Sequence, residues 1–344
     1  MSTTIISPRS AARGFRLDSL LRARELGIGV AIIVVFGLTT LNNHDFARAA
    51  SIQQLLIGAA LIALLGVGET MVIVTRNVDL SVGSVVGLSA YVVGDLFKHH
   101  PHMPIVFGFG VGIALGAVIG AINGLVTTVA RVPSLVVTLA MLYIIRGVDG
   151  VIVNGITIDP VSIPQAFISV GYRALLGIPW LAIIVALVVA AFGYAMRSFR
   201  WGRDLYGIGS NPDAAALAGI PAGRRVFTAF LTSGALAGFA GALFLAIHAQ
   251  IDVTGGVGYE LSVIAAVVVG GVAIFGGSGT VLGAALGALL LNTINQALVA
   301  TKISSFWNEA IAGALLLAAI AFDRWLSQRV ARRLRTAAGA HRDL

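Results

Sequence analysis

The chain has 344 residues, 58% hydrophobic and 11% charged, with mean hydropathy +0.95 and formal net charge +8. A soluble domain carries roughly 25% charged residues, so most of this surface must face something other than water. With no cysteine there is no disulfide framework or thiolate metal site, and the basic residues flank apolar runs instead of lining one soluble face, which argues against nucleic acid.

Residues 1–25 form a basic segment with Arg9, Arg13, Arg16, Arg22 and Arg24. The apolar run from Leu26 to Leu41 ends in Asn42-Asn43-His44 without a small-residue cleavage pattern, so it is expected to stay as a first helix and not to be a signal peptide. A membrane-crossing helix needs about 20 mostly apolar residues. Ten segments qualify, at roughly 26–41, 52–75, 81–97, 104–130, 133–153, 178–196, 226–248, 259–275, 279–300 and 305–323, the third and eighth being short or interrupted. With the N-terminus inside, eighteen Arg fall on cytoplasmic segments. Only Arg48, Lys98, Arg173 and Lys302 fall outside. That asymmetry obeys the positive-inside rule and requires an even number of spans.

Between the second and third spans lies Thr75-Arg76-Asn77-Val78-Asp79-Leu80-Ser81. Asp79 or Ser81 is expected to cap the third helix. A break at this depth also leaves backbone groups that must be buried in protein or line water, which makes Asn77, Asp79, Ser81 and Ser84 candidates for the translocation path. Glu69, Asn123, Glu260, Asn292, Asn295 and Gln296 are further candidates, each with a helix–helix hydrogen bond as the simpler role. In the fourth span Gly108, Gly112, Gly116, Gly120 and Gly124 recur every four residues, and Gly279, Gly283 and Gly287 do so in the ninth, a signature of close helix packing. Arg146 and Asp149, three apart, are expected to pair with each other on one helix face. His99, His100 and His102 sit with two prolines in a short external connection and read as a solvated turn more readily than as a metal cluster.

The longest internal loop, 197–225, contains a short helix candidate capped by Asn211 or Asp213 and stopped by Gly219 and Pro221. A helix that short is marginal alone and points to a docking partner. No G-x-x-x-x-G-K-[ST] occurs and neither Lys98 nor Lys302 follows a phosphate-cradling loop, so ATP, if used, must be bound by another subunit.

The two halves echo each other. Asp79-Leu-Ser-Val82 opens the third span and Glu260-Leu-Ser-Val263 the eighth. Gly116, Gly120 and Asn123 lie in the fourth, Gly283, Gly287 and Asn292 in the ninth; Arg131-Val-Pro-Ser134 precedes the fifth and Lys302-Ile-Ser-Ser305 the tenth. Spans three and eight run in opposite directions, so the expected fold is all-α, with ten transmembrane helices in a five-plus-five inverted repeat.

Thr75-Arg-Asn-Val-Asp-Leu-Ser-Val-Gly-Ser84, Asn123-Gly124, Pro133 with Thr138-Leu139, Arg146-Gly147, Trp201-Gly-Arg203, Gly207-Ile-Gly-Ser-Asn211, Ala214-Ala215, Ala218-Gly-Ile220, Gly258-Tyr-Glu-Leu261 and Gly276-Gly-Ser-Gly279 resemble the permeases of bacterial sugar-type ABC importers, the ribose, xylose, rhamnose and autoinducer-2 group. The resemblance covers about residues 50–325. Thr75-Arg-Asn77 departs from the Gly-Gly-Ile of many ribose-type members; with Trp307-Asn-Glu309 and Ala321-Phe-Asp323 it is more similar to the autoinducer-2 and rhamnose branch. The resemblance implies a partner ABC ATPase that holds ATP and Mg, no cofactor in this chain, a periplasmic or lipid-anchored solute-binding protein, and a second permease copy or paralogue. It also implies that Asn211, Ala214, Ala215, Gly219 and Ile220 dock on the ATPase. No catalytic constellation is visible, so the chain is expected to act by alternating access in the bacterial cytoplasmic membrane and not as an enzyme. The alternative is a secondary transporter driven by an ion gradient, for which Asp79 and Glu260 would be the coupling groups.

Overall fold

The computed structural model describes residues 11–304, 306–321 and 324, with side chains from Glu25 onward; the basic tail expected at 326–344 lies outside the described residues. The helices are α1 (Ala11–Asn42), α2 (Ala49–Ile73), α3 (Val82–His99), α4 (Ile105–Thr128), α5 (Ser134–Val153), α6 (Gln165–Tyr172), α7 (Trp180–Ser198), α8 (Arg200–Ser210), α9 (Pro212–Leu217), α10 (Ala222–His248), α11 (Tyr259–Val269), α12 (Val281–Ala300) and α13 (Trp307–Ala321). A two-residue hairpin, β1 (Ala174–Leu175) and β2 (Ile178–Pro179), precedes α7.

Each of the ten expected segments contains a helix, the eighth ending at Val269, short of the expected residue 275. Among the described residues seven helices are long and apolar enough to cross a membrane, namely α1 from Glu25, α2, α4, α5, α7, α10 and α12, while α11 and α13 are shorter apolar helices. α1 begins at Ala11, well before the expected start at residue 26. The Arg- and Leu-rich stretch before Glu25 is built of good helix formers.

The centre of the bundle is α2 and α10, whose spans are 78% and 67% buried, against 11% for α1. Apolar side chains left exposed on α1, α4, α5 and α7, such as Ile33, Val106, Tyr143 and Leu187, suit contact with lipid. α4 packs along α10 and α12 along α2; α3 also packs on α10, and α11 on α2. Exchanging the second span with the seventh, the third with the eighth and the fourth with the ninth maps this pattern onto itself. The repeat reaches the connectors: Arg131, before α5, and Lys302, before α13, both take the left-handed conformation, with φ of 56° and 60°.

The α4 glycines meet the glycines of α10. A Cβ on Gly116 would collide with the Gly234 carbonyl and stand 2.7 Å from Gly238 N, and Gly112 faces the Gly238 carbonyl. Gly283 and Gly287 behave differently, resting on Gly270 and Ala266 at the end of α11 instead of on the central helix. Both spans expected to be short are preceded by a break: backbone without helix runs from Val74 to Ser81 ahead of α3, and from Ala249 to Gly258 ahead of α11.

Candidate functional site

The break between α2 and α3 is held by side chains. Asp79 Oδ1 accepts from Ser81 N at 3.0 Å and from Ser81 Oγ at 2.6 Å. The Asn123 amide on α4 donates to Ser81 Oγ at 2.9 Å, and Ser84 Oγ donates to the Ser81 carbonyl at 2.8 Å. Asp79 N donates to Glu69 Oε1 at 3.1 Å, while the Val78 peptide is clamped to the start of α5, its N–H donating to Ser134 Oγ and its carbonyl accepting from Thr138. Asn77 stays apart from this network, its amide turned back on Thr75. Neither expected cap of α3 forms: Ser81 takes the N-cap position without a side-chain cap bond, and Asp79 accepts from the N–H of Ser81, ahead of the helix. Asp79, Ser81, Ser84 and Asn123 are all buried, so their hydrogen bonds replace the water the break would otherwise need.

The other path candidates gather around a cavity of about 470 Å³ between α2, α11, α12 and α13, a size usual for small-molecule sites. Glu260, Asn292 and Asn295 line it, joined by Ser262, Asn308 and Glu309. Among the described residues no basic side chain lines it. Asn292 is fixed, its amide donating to the Leu55 carbonyl at 2.7 Å beside Gly58, where any Cβ would touch it at 2.8 Å. The two groups of candidates adjoin at α3: a Cβ on Gly83, next to Ser84, would strike Glu260 Oε2. Asn308 and Glu309 are missing from the sequence-level path candidates. The signal for them was their place beside Trp307, opposite the polar face of α12.

The expected pair of Arg146 and Asp149 does not form. Arg146 Nη1 donates to the Gly255 carbonyl at 2.7 Å, and both Asp149 oxygens are buried without a hydrogen-bond partner. The reason lies in the 249–258 connector, which presses on Gly83 and Gly87 of α3 and presents a carbonyl with no backbone donor in reach. The guanidinium serves that carbonyl first. His99 turns back on the Asp95 carbonyl at 2.9 Å, and no group of three or more metal-ligating side chains occurs among the described residues.

The 197–225 loop is a helical hairpin. α8, unassigned in the hydropathy pattern, buries Leu205 and Ile208 on one side and is pinned to α10, with Arg225 donating to Asp204 Oδ2 at 2.8 and 2.9 Å and Trp201 to Thr228 at 2.9 Å. Tyr206 donates to the Gly279 carbonyl at 2.9 Å, and burial pushes its phenol up to about 12, so the donor proton is kept at neutral pH. α9 is capped by Asn211 Oδ1, which accepts from Ala214 N at 3.0 Å. It stops in a paired closure: Ile220 N donates to Ala215 O and Gly219 N to Ala216 O, with Gly219 left-handed at φ 71°. Asn211, Ala214, Gly219 and Ile220 therefore build and frame α9, while Ala215 is buried beneath it. Leu217, the last residue of α9, is 91% exposed at the tip.

Residues 51–320 match the family described as branched-chain amino acid transport system / permease component. The autoinducer 2 import system permease protein LsrC of Klebsiella pneumoniae is 35% identical over 319 residues, 93% of this chain and 92% of that protein. LsrC of Photorhabdus luminescens is 32% identical, over 87% and 89% of the two chains. The L-arabinose ABC transporter permease protein AraH of Azospirillum brasilense is 34% identical, over 87% of each. No solved structure gives a significant match.

Proposed function

The chain belongs to this family of transport-system permease components, and from that premise we propose that it passes a neutral, polyhydroxylated solute of the sugar or autoinducer-2 type through the membrane of an ATP-driven importer. The observation that carries the choice of solute is the cavity wall. Glu260 and Glu309 accept hydrogen bonds, Asn292, Asn295, Asn308 and Ser262 both accept and donate, and among the described residues no basic side chain lines the wall. Hydroxyl groups satisfy such a wall. A free branched-chain amino acid, the cargo in the family's description, carries an ammonium and a carboxylate, and this wall offers matching charge to the ammonium alone. The relatives named for autoinducer 2 and L-arabinose carry the same preference.

In this reading the permease domain spans residues 26–325. The basic segment 1–25, the 197–225 hairpin and the tail at 326–344 face the cytoplasm of a bacterial cell, which agrees with the distribution of Arg and Lys. A partner ATPase supplies ATP and Mg and pushes on α9, a binding protein delivers solute from the periplasmic side, and a second copy or paralogue completes the pathway. The chain itself holds no cofactor and catalyses no reaction. Asn77, Asp79, Ser81, Ser84 and Asn123 act as the inner, structural part of the path, and Glu260, Asn292 and Asn295 as the part that meets solute.

The test is uptake into vesicles containing the permease, its partner ATPase and its binding protein, with pentoses, 6-deoxyhexoses, autoinducer 2 and leucine offered in turn. ATP-dependent accumulation of a polyol and none of leucine is the expected result. Accumulation of leucine, or uptake that survives without the ATPase and collapses with the ion gradient, overturns the reading.

A further inference from the structure

The end of α8, the end of α2 and the connector from α11 to α12 meet at one point. Val74 O, at the end of α2, accepts from Gly277 N at 2.9 Å. Gly209 is wedged between these same two groups; a Cβ there would collide with Val74 O and stand 2.6 Å from Gly277 N. The last turn of α8 leaves carbonyls without intrahelical donors. Arg76 takes two of them, Nε donating to Gly209 O at 2.6 Å and Nη2 to Ser210 O at 3.0 Å. To do so its backbone is left-handed, φ 66°, a conformation rarely held by a residue with a side chain and found where the surroundings enforce it.

From Arg76 the path inward is short. Three residues on, Asp79 holds Ser81, Ser81 holds Asn123, and Asn123 sits on α4 between Gly120 and Gly124 of the seam with α10. In the other direction Ser210 is followed at once by Asn211, the cap of α9. We infer that Arg76 is the positioning residue that ties the ATPase-coupling hairpin to the α2–α3 break, so that displacement of α9 reaches the candidate path through its guanidinium. The inference rests on the importer reading above.

A guanidinium on the last carbonyls of a helix also serves as a simple C-terminal cap, and the two roles separate experimentally. A cap alone sets stability; a tie sets how much solute moves per nucleotide spent. The experiment reconstitutes Arg76→Gln, Arg76→Gly and Arg76→Lys in vesicles with the partner ATPase and binding protein. It measures solute imported per ATP hydrolysed, ATPase retained on the purified complex, and the thermal midpoint. Arg76→Gln and Arg76→Gly are expected to keep the ATPase bound and hydrolysing while import per ATP falls about tenfold, the scale of one charge-assisted hydrogen bond. Arg76→Lys, which keeps a charged donor, should lose less. Arg76→Gly relaxes the left-handed backbone, so its thermal midpoint should not fall below that of Arg76→Gln even though both are uncoupled. An unchanged ratio in Arg76→Gln and Arg76→Gly overturns the inference, and so does loss of the ATPase from the complex, which would make Arg76 a docking residue. If the unmodified permease accumulates no solute with ATP, it is the importer reading that fails, and the inference falls with it.

Discussion

Asp79 holds Ser81 twice, through its N–H and through its hydroxyl, and Ser81 in turn receives the Asn123 amide from α4. One carboxylate thus fixes both where α3 begins and how α4 stands against it. Asp79→Ala leaves the buried Ser81 N–H without a partner and is expected to destabilise the purified permease by about 2 kcal/mol. Asn123→Ala should cost about 1 kcal/mol, and the double variant less than the sum, because both act through the same hydroxyl. Thermal unfolding in detergent checks all three; strict additivity would mean that the three residues do not form one network.

The glycine seam predicts a contrast between two positions. Gly116→Val drives a branched side chain into the backbone of α10 at Gly234 and Gly238, and should destabilise by roughly 3 kcal/mol or prevent folding. Gly147→Ala, on α5, meets nothing within 4 Å and should be neutral or stabilising by up to about 1 kcal/mol. Expression yield and thermal midpoint distinguish the two.

At the cavity, Asn295→Leu and Glu309→Gln each change a lining group that has no assigned part in the packing of the α2–α3 break. Each is expected to lower ATP-driven sugar uptake by about tenfold, one good hydrogen bond's worth, with the thermal midpoint within a degree or two of the parent.

For the hairpin, Leu217→Asp places a charge on an exposed apolar tip. It should leave folding untouched and release the ATPase from the copurified complex. Asn211→Ala removes the cap of α9 and should cost about 1 kcal/mol of local helix stability; Asn211→Pro and Ala215→Asp should abolish ATP-coupled uptake. Uptake that persists in both of the last two variants means that α9 is not where the ATPase pushes.

The order of the apolar helices was legible in the sequence because hydropathy over twenty residues is a strong signal. The repeat was legible through Asp79-Leu-Ser, Glu260-Leu-Ser and the pair Arg131 and Lys302, whose matched left-handed backbones give the resemblance a conformational form. Less legible was anything decided by a partner distant in sequence. Arg146 had Asp149 three residues away, yet it serves a carbonyl more than a hundred residues on. Gly283 and Gly287 share the spacing of Gly116 and Gly120 but touch a different kind of neighbour. Leu217 reads as one more apolar residue in a chain full of them; only its 91% exposure sets it apart. The polar candidates fell into two groups, a buried scaffold and a cavity wall, and no local pattern tells an amide that bonds a carbonyl from one that faces open space.

Because α2 is sheathed by α11 and α12, and α10 by α3 and α4, each half of the chain lends its central helix to the other. During synthesis α2 therefore leaves the ribosome long before the helices that cover it. At about 5–20 residues per second, the wait from Ile73 to Val281 lasts roughly 10–40 s, during which α2, which carries the buried Glu69, stands without its native neighbours. Insertion of this permease should accordingly depend on help that shelters early helices, and the two halves made as separate chains should be degraded unless they are produced together.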